Sequence, residues 1–335
     1  MGNTKMLMER CMKRELSFSV LRIICLILLI PSLSFAKNQF VTIGTAGITG
    51  VYYIAGKSIE KIVNQKRDEL GFRVVVESTA GAVFNINALM NGDLEFGIVQ
   101  SDRQYQAVHG LENWEGKGPQ KKLRSVFSLH LEEVTLAAAV DSGIASVKDL
   151  RGKRVNIGNP GSGYRLNAIH VLEANGLDYQ KDIHAEGNRA AIASEQIESG
   201  LLEAFFYTVG HPNGTFKAAT TGSRKIRFIP IDGVDQLLVQ YPYYHRSVIP
   251  VALYPQAIND SDVPTIGVKA VLVTSSTIPD EIVYGVTRQV FENLEVFRAK
   301  HPAFSALSKA SMLEGLSAPI HPGALQYYKK VGLKP

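Results

Sequence analysis

From Phe40 onward, short β-branched and aromatic runs alternate with stretches whose apolar residues recur at helical spacing. Phe40 to Gly44 predicts a strand, and the glycine-rich turn after it leads into a helix from about Tyr52 to Gln65. The valine-rich run Phe72 to Glu77 predicts a second strand and Val83 to Met90 a second helix. Phe96 to Val99 and Asp102 to His109 repeat the unit, and Leu123 to Val140 predicts two further strands. After the polar, turn-rich segment Val147 to Lys153, a second set begins. It comprises strand Arg154 to Ile157, a helix from Gly163 to Asn175, a helix around Ala190 to Ser199, and strands Ala204 to Tyr207 and Ile226 to Ile231. Beyond Pro250 come a strand, Thr265 to Thr274, and helical stretches Pro279 to Arg298 and Gly323 to Val331.

Strands alternating with helices predict an α/β protein with a mostly parallel sheet flanked by helices. The strands outnumber one comfortable sheet, so two α/β lobes are expected, the second inserted into the first. The cleft between such lobes is a common small-molecule site. The division this implies is 37–140 and 251–335 for the first lobe and 141–250 for the inserted one.

The first 36 residues have another character. Lys5, Arg10, Lys13, Arg14 and Arg22 make the start basic, an eight-residue apolar run Ile23 to Ile30 follows, and Ser34-Phe35-Ala36 ends it. That is the form of a secretory signal cleaved after about Ala36, and a spanning helix needs roughly 20 apolar residues. The expectation is export to the periplasm, with an uncleaved anchor as the alternative and Met8 and Met12 as alternative starts to Met1. Both cysteines, Cys11 and Cys25, fall in this segment, which leaves the remaining 299 residues with no disulfide or thiolate chemistry. The leader's five basic and two acidic residues account for +3 of the formal +5, leaving about +2. No clustered basic patch suggests a nucleic-acid surface.

Three polar turns mark junctions from strand to helix: Gly44 to Gly50, Ser78 to Ala82, and Gly158 to Gly163. Open α/β sheets bind ligands at the carboxyl ends of their strands, where helix N-termini favour anions. Each turn alone is equally a plain connection; three together favour a shared anion site, with Gly47, Thr79 and Gly81 among the candidates for contact. The nucleotide patterns do not fit. Gly44 to Gly50 is G-x-x-G-x-x-G, and Tyr164 and Arg165 stand where a P-loop needs Lys and Ser or Thr. Gln100, at the end of a strand, is a candidate amide donor to a carboxylate. Ser101 and Asp102 after it also read as helix caps. Arg165 is either a bidentate carboxylate clamp or the partner of an acid on its own lobe. The eight histidines show no metal spacing, and no nucleophile and base announce themselves, so neither metal, cofactor nor catalytic residue is expected. His109, Arg103 and the adjacent acids Glu132 and Glu133 carry no motif that assigns them to the cleft or away from it.

The ordered set of segments resembles the TAXI solute receptors of TRAP (tripartite ATP-independent periplasmic) transporters. The segments are Thr42 to Gly56 with Tyr52-Tyr53, Glu77 to Asn85, Gly97 to Asp102, Asp149 to Val155, Gly158 to Arg165, Glu203 to Phe206 with Gly210 and Pro212, and His321 to Ala324 with Tyr327-Tyr328. The resemblance implies a type II periplasmic-binding-protein fold, two lobes joined by a hinge that close on a small carboxylate such as glutamate, glutamine or 2-oxoglutarate. It implies delivery to a TRAP-type membrane permease, and contacts from Tyr52, Gly81, Asn85, Gln100, Ser101, Ser162 and Gly163, with Gly210 in a matched segment. Ala80, Ala82, Phe84 and Tyr164 depart from the family pattern. A ligand-sensing receptor and an exported enzyme on the same scaffold remain the alternative functions.

Overall fold

The computed structural model describes residues 39–334; the leader expected over 1–36, with Cys11 and Cys25, lies outside them. Strand β1 (Gln39–Gly44) leads into helix α1 (Val51–Asn64), short α2 (Arg67–Leu70) and β2 (Phe72–Glu77). Helix α3 (Ala82–Asn91), β3 (Phe96–Gln100) and α4 (Ser101–His109) follow. A long β4 (Leu123–Ala139) leads to β5 (Arg154–Asn156), α5 (Tyr164–Ala174), β6 (His184–Glu186), α6 (Ala193–Glu198) and β7 (Ala204–Val209). The chain continues through α7 (Gly214–Thr221), β8 (Ile226–Ile229), α8 (Asp235–Gln240) and β9 (His245–Ile249). It closes with β10 (Val263–Ser275), α9 (Asp280–Glu292), α10 (Leu294–Arg298) and α11 (Pro322–Lys330). Helix α1 shows why the local pattern succeeds: Val51, Tyr52, Ala55, Ile59, Ile62 and Val63 recur at three- and four-residue spacing and are all buried.

The sheet departs from expectation in two ways. The ten strands among the described residues join one hydrogen-bonded sheet, in the order β2-β1-β3-β10-β4-β7-β5-β6 with β8 on β4 and β9 on β10. The sheet is also mixed. β1 pairs parallel with β2 and β3, and β5 pairs parallel with β6 and β7, but every pairing of β4 and β10 is antiparallel. The segment read as two strands is the single 17-residue β4. Its first part pairs with β10 from Leu123↔Ser275 to Glu133↔Gly267, and its second part pairs with β7 from Glu133↔Val209 to Ala138↔Ala204. The adjacent acids Glu132 and Glu133 lie where this one strand passes from one partner to the other.

Side chains alternate across these strands, so each face feeds its own apolar cluster. Ala270 and Leu272 on β10 join a core with α1, α9 and α11, whereas Val271 and Val273 pack with α3 and the fully buried Trp114. A third cluster gathers Val134, Leu136 and Ala138 of β4 with Val155 of β5 and Val171 and Leu172 of α5. Strands β6 and β9 escaped sequence reading because each is short, β6 exposed throughout and β9 only partly buried, so neither carries a long apolar run.

Two consequences are measurable. Phe127 is fully buried and meets Phe291 edge-on at 5.6 Å between ring centres, so Phe127→Ala is expected to lower stability by about 3–5 kcal/mol in urea unfolding. Glu133 accepts a hydrogen bond from Ser247 Oγ at 3.1 Å, and burial pushes its carboxyl up to about 7. Between the ordinary glutamate value of 4.5 and about 7 the folded chain holds a proton there that the unfolded chain has lost. Stability from this group therefore falls as pH rises through that window, by up to about 1.4 kcal/mol per pH unit. Glu133→Gln should flatten the wild-type decline between those limits, and parallel stability–pH curves for the two proteins would refute the assignment.

Candidate functional site

The carboxyl ends of β1 and β2 feed the first two glycine turns, β3 ends at Gln100, and the third turn follows β5. The fold brings the three together around a cavity of about 50 Å³. Its walls include Gly47, Gly50, Val51 and Tyr52 from the first turn, Thr79 to Ala82 from the second, and Asn159 with Ser162 to Tyr164 from the third. Gln100, Glu132, Arg189, and Tyr207 to Val209 complete much of the rest. At roughly 10–15 Å³ per water this space holds a few water molecules, so a larger ligand enters only if the walls part.

Helices α1, α3 and α5 all begin at this cavity, and none has a side chain bonded across its N-terminus. Of their first-turn N–H groups, Phe84 N on α3 is taken by Gly161 O and the others have no side-chain cap, and the three dipole ends favour a negative group. Gly81 precedes α3 with φ of +118°, a conformation only glycine adopts readily, and a Cβ there would lie 3.2 Å from Ser162 Cα. A Cβ at Gly163 would lie 1.6 Å from Gln100 Oε1, so any side chain there would have to displace Gln100.

Direct contacts hold the walls together. Phe84 N donates to Gly161 O at 3.1 Å, Asn159 Nδ2 to Ala80 O at 3.1 Å, and Asn213 Nδ2 to Thr49 O at 3.1 Å. Gln100 Nε2 donates to Asn167 Oδ1 at 2.7 Å, and Asn167 Nδ2 donates to Asp102 and to the Tyr244 hydroxyl at 2.6 and 2.7 Å. The Gln100 donor expected to meet a carboxylate is thus committed to Asn167. Tyr164, where the family pattern departs, donates to Asn159 Oδ1 and accepts from Ala190 N, and its ring meets that of Tyr207 edge-on at 5.0 Å.

Seven of the candidates named from sequence share the cavity: Gly47, Tyr52, Thr79, Gly81, Gln100, Ser162 and Gly163. Four lie outside its lining. Asn85 is fully buried and ties strand ends together, donating to Thr45 O and Ile98 O and accepting from the Thr79 hydroxyl. Ser101 Oγ accepts from Lys269 N on β10 and borders a different hollow. Arg165 turns back to Gly158 O at 2.8 Å with its guanidinium over the Tyr179 ring, which is the own-lobe alternative with a carbonyl in place of an acid. Gly210 packs against the His130 ring.

Glu132 is the residue that sequence reasoning left unassigned. It is 2% exposed, lines the cavity, and accepts a 2.6 Å hydrogen bond from the Tyr52 hydroxyl. Burial pushes its carboxyl well above the usual range; the Tyr52 bond opposes this, and Asp102 and Glu133 add to it. A signal was present: two adjacent acids inside an apolar run require a physical explanation. Glu133, Arg103 and His109 do not line the cavity. Among the described residues, no group of three or more His, Cys, Asp and Glu side chains is placed to hold a metal ion.

The model of the NMT1-like family matches residues 43–332. A protein of Bordetella bronchiseptica RB50 superposes with a TM-score of 0.53 at 13% identity, over 89% of this chain and 99% of its own. The binding-protein component of an ABC phosphonate transporter from Pseudomonas aeruginosa gives 0.50 at 12% identity, over 79% of each chain. At such identities the likeness is one of fold, and the fold is that of the periplasmic binding proteins. With nearly all the described residues inside the match, the chain belongs to the NMT1-like family.

Proposed function

We propose that the chain is a solute-binding protein of the TAXI type, exported to the periplasm, which captures a small carboxylate and delivers it to a TRAP-type permease. The observation that carries this reading is the meeting of three helix N-termini without side-chain caps on one cavity. The family match supports it, as does a structural neighbour that serves a transporter as its binding protein.

In this reading, residues 37–140 with 251–335 form one lobe and 141–250 the other. The first lobe contributes Gly47, Tyr52, Thr79, Gly81 and Gln100, and the second Ser162 and Gly163. A carboxylate held by N–H groups from both lobes favours closure, because only the closed state makes both sets of contacts. Binding rather than turnover suits the chemistry: the Ser162 hydroxyl donates to Asn159 O, and the Glu132 carboxyl is engaged by Tyr52. Neither forms a nucleophile–base pair.

Calorimetry with glutamate, glutamine and 2-oxoglutarate, together with native mass spectrometry of the purified protein, tests the proposal. At least one small carboxylate should bind with one-to-one stoichiometry. Gly81→Ala, which strains the turn and crowds Ser162, is expected to raise its Kd about tenfold or more. Arg165→Ala should leave Kd within about threefold, because its guanidinium is occupied outside the cavity. A large loss in Arg165→Ala with none in Gly81→Ala would place the anion elsewhere.

A further inference from the structure

The cavity has two chemically opposed components. The helix N-termini and the exposed Arg189, the one Lys or Arg side chain among its described lining residues, suit a negative group. Glu132 does not. It is a buried carboxyl within the same lining, and among the described residues what surrounds it supplies no cation. Tyr52 on α1 occupies Oε2. On its own strand, His130 Nε2 stands 4.0 Å from Oε1, beyond hydrogen-bond reach, and Glu133 is a further acid. Asp102 on α4 adds negative potential, and Tyr207 on β7 is an uncharged phenol. His130 cannot serve as the missing cation, because burial holds its ring neutral, with a pKa of about 3. Arg103, the nearby guanidinium, is fully buried in its own 2.8 Å pair with Asp102.

A buried carboxyl with one oxygen engaged and no positive partner is costly as an anion, and a ligand cation removes that cost. Resting on the capture reading above, we infer that Glu132 is the specificity-determining residue of the site: it receives a protonated amine on the ligand while the helix N-termini hold the ligand's carboxylate. The substrate class is then a small amino acid rather than a plain mono- or dicarboxylic acid. Tyr52 is the positioning residue. By donating to Oε2 it leaves Oε1 to accept from the amine. The proton balance follows from the same contacts. The amine arrives protonated and docks on the Glu132 carboxylate; burial raises that carboxyl, so the fraction of Glu132 that carries a proton gives it up on docking. That proton passes to solvent.

The test uses the purified chain, the twenty standard amino acids and their deaminated counterparts, for example L-glutamate against glutarate and L-alanine against propionate. Melting-temperature shifts come first, followed by calorimetry in phosphate and Tris buffers, whose different ionisation heats report proton release. At least one amino acid should raise the melting temperature and bind about tenfold or more tightly than its deaminated partner, with net proton release. Glu132→Gln should abolish the release and erase the preference for the amino acid over its deaminated partner. Tyr52→Phe, which keeps the carboxyl, should weaken the amino acid while retaining proton release, so a folding defect in one variant leaves the other to decide. Deaminated acids that bind as tightly as the amino acids would overturn the role of Glu132 and leave carboxylate capture standing. No shift with any acid of either kind would overturn both.

Discussion

The antiparallel ladder between β4 and β10 is the constraint from which the rest of the molecule hangs. Eight registered pairs run from Leu123↔Ser275 to Glu133↔Gly267, and β10 carries β3 on its other edge while β4 goes on to β7. The parallel strands β1 to β3 and β5 to β7 are thus held to one frame. Their carboxyl ends, and the helices that start there, meet around one small space. Breaking the frame would expose two rows of backbone N–H and C=O groups at once, a cost that no local rearrangement recovers.

The same ladder explains why the site contains an acid. A strand shared by two neighbours is buried on both edges and, by alternation, sends successive side chains to opposite faces. Glu132 and Glu133 lie where β4 changes partner, so one enters the cavity with Tyr52 and the other faces Ser247. Burial raises both carboxyls for the same reason, the loss of water around a charge. Against them stand three helix ends of opposite polarity, so the cavity is polarised by backbone on one side and side chain on the other.

The walls are closed by protein–protein contacts as much as by any ligand. Gln100 to Asn167, Phe84 to Gly161 and Asn213 to Thr49 each span from one turn system to another. Gly163 is small because Gln100 occupies the place of its side chain. A ligand entering this cavity therefore works with contacts already present, and its own polar groups decide how much further the closed arrangement is favoured.

Much of this was legible without coordinates. The local elements were visible because their apolar spacing is local: α1, α3, α4, α5 and α11 fall within a few residues of the sequence reading, as do β1 to β3 and β7, while the stretch read as Pro279 to Arg298 is the two helices α9 and α10. The glycine turns announced a site, and seven residues named from them or from the family resemblance share the cavity. What no local pattern carries is pairing. That β4 is one strand, that the sheet is mixed, and that Arg165 turns back to Gly158 while Glu132 turns inward depend on partners more than sixty residues away or on a turn's three-dimensional path. The chain by itself determined which segments become helix or strand and where its backbone opens for a ligand, because both follow from residue spacing and backbone freedom. Only the tertiary structure decided which charged groups face that opening, because burial and neighbours, not residue type, set where a side chain points and whether it keeps its proton.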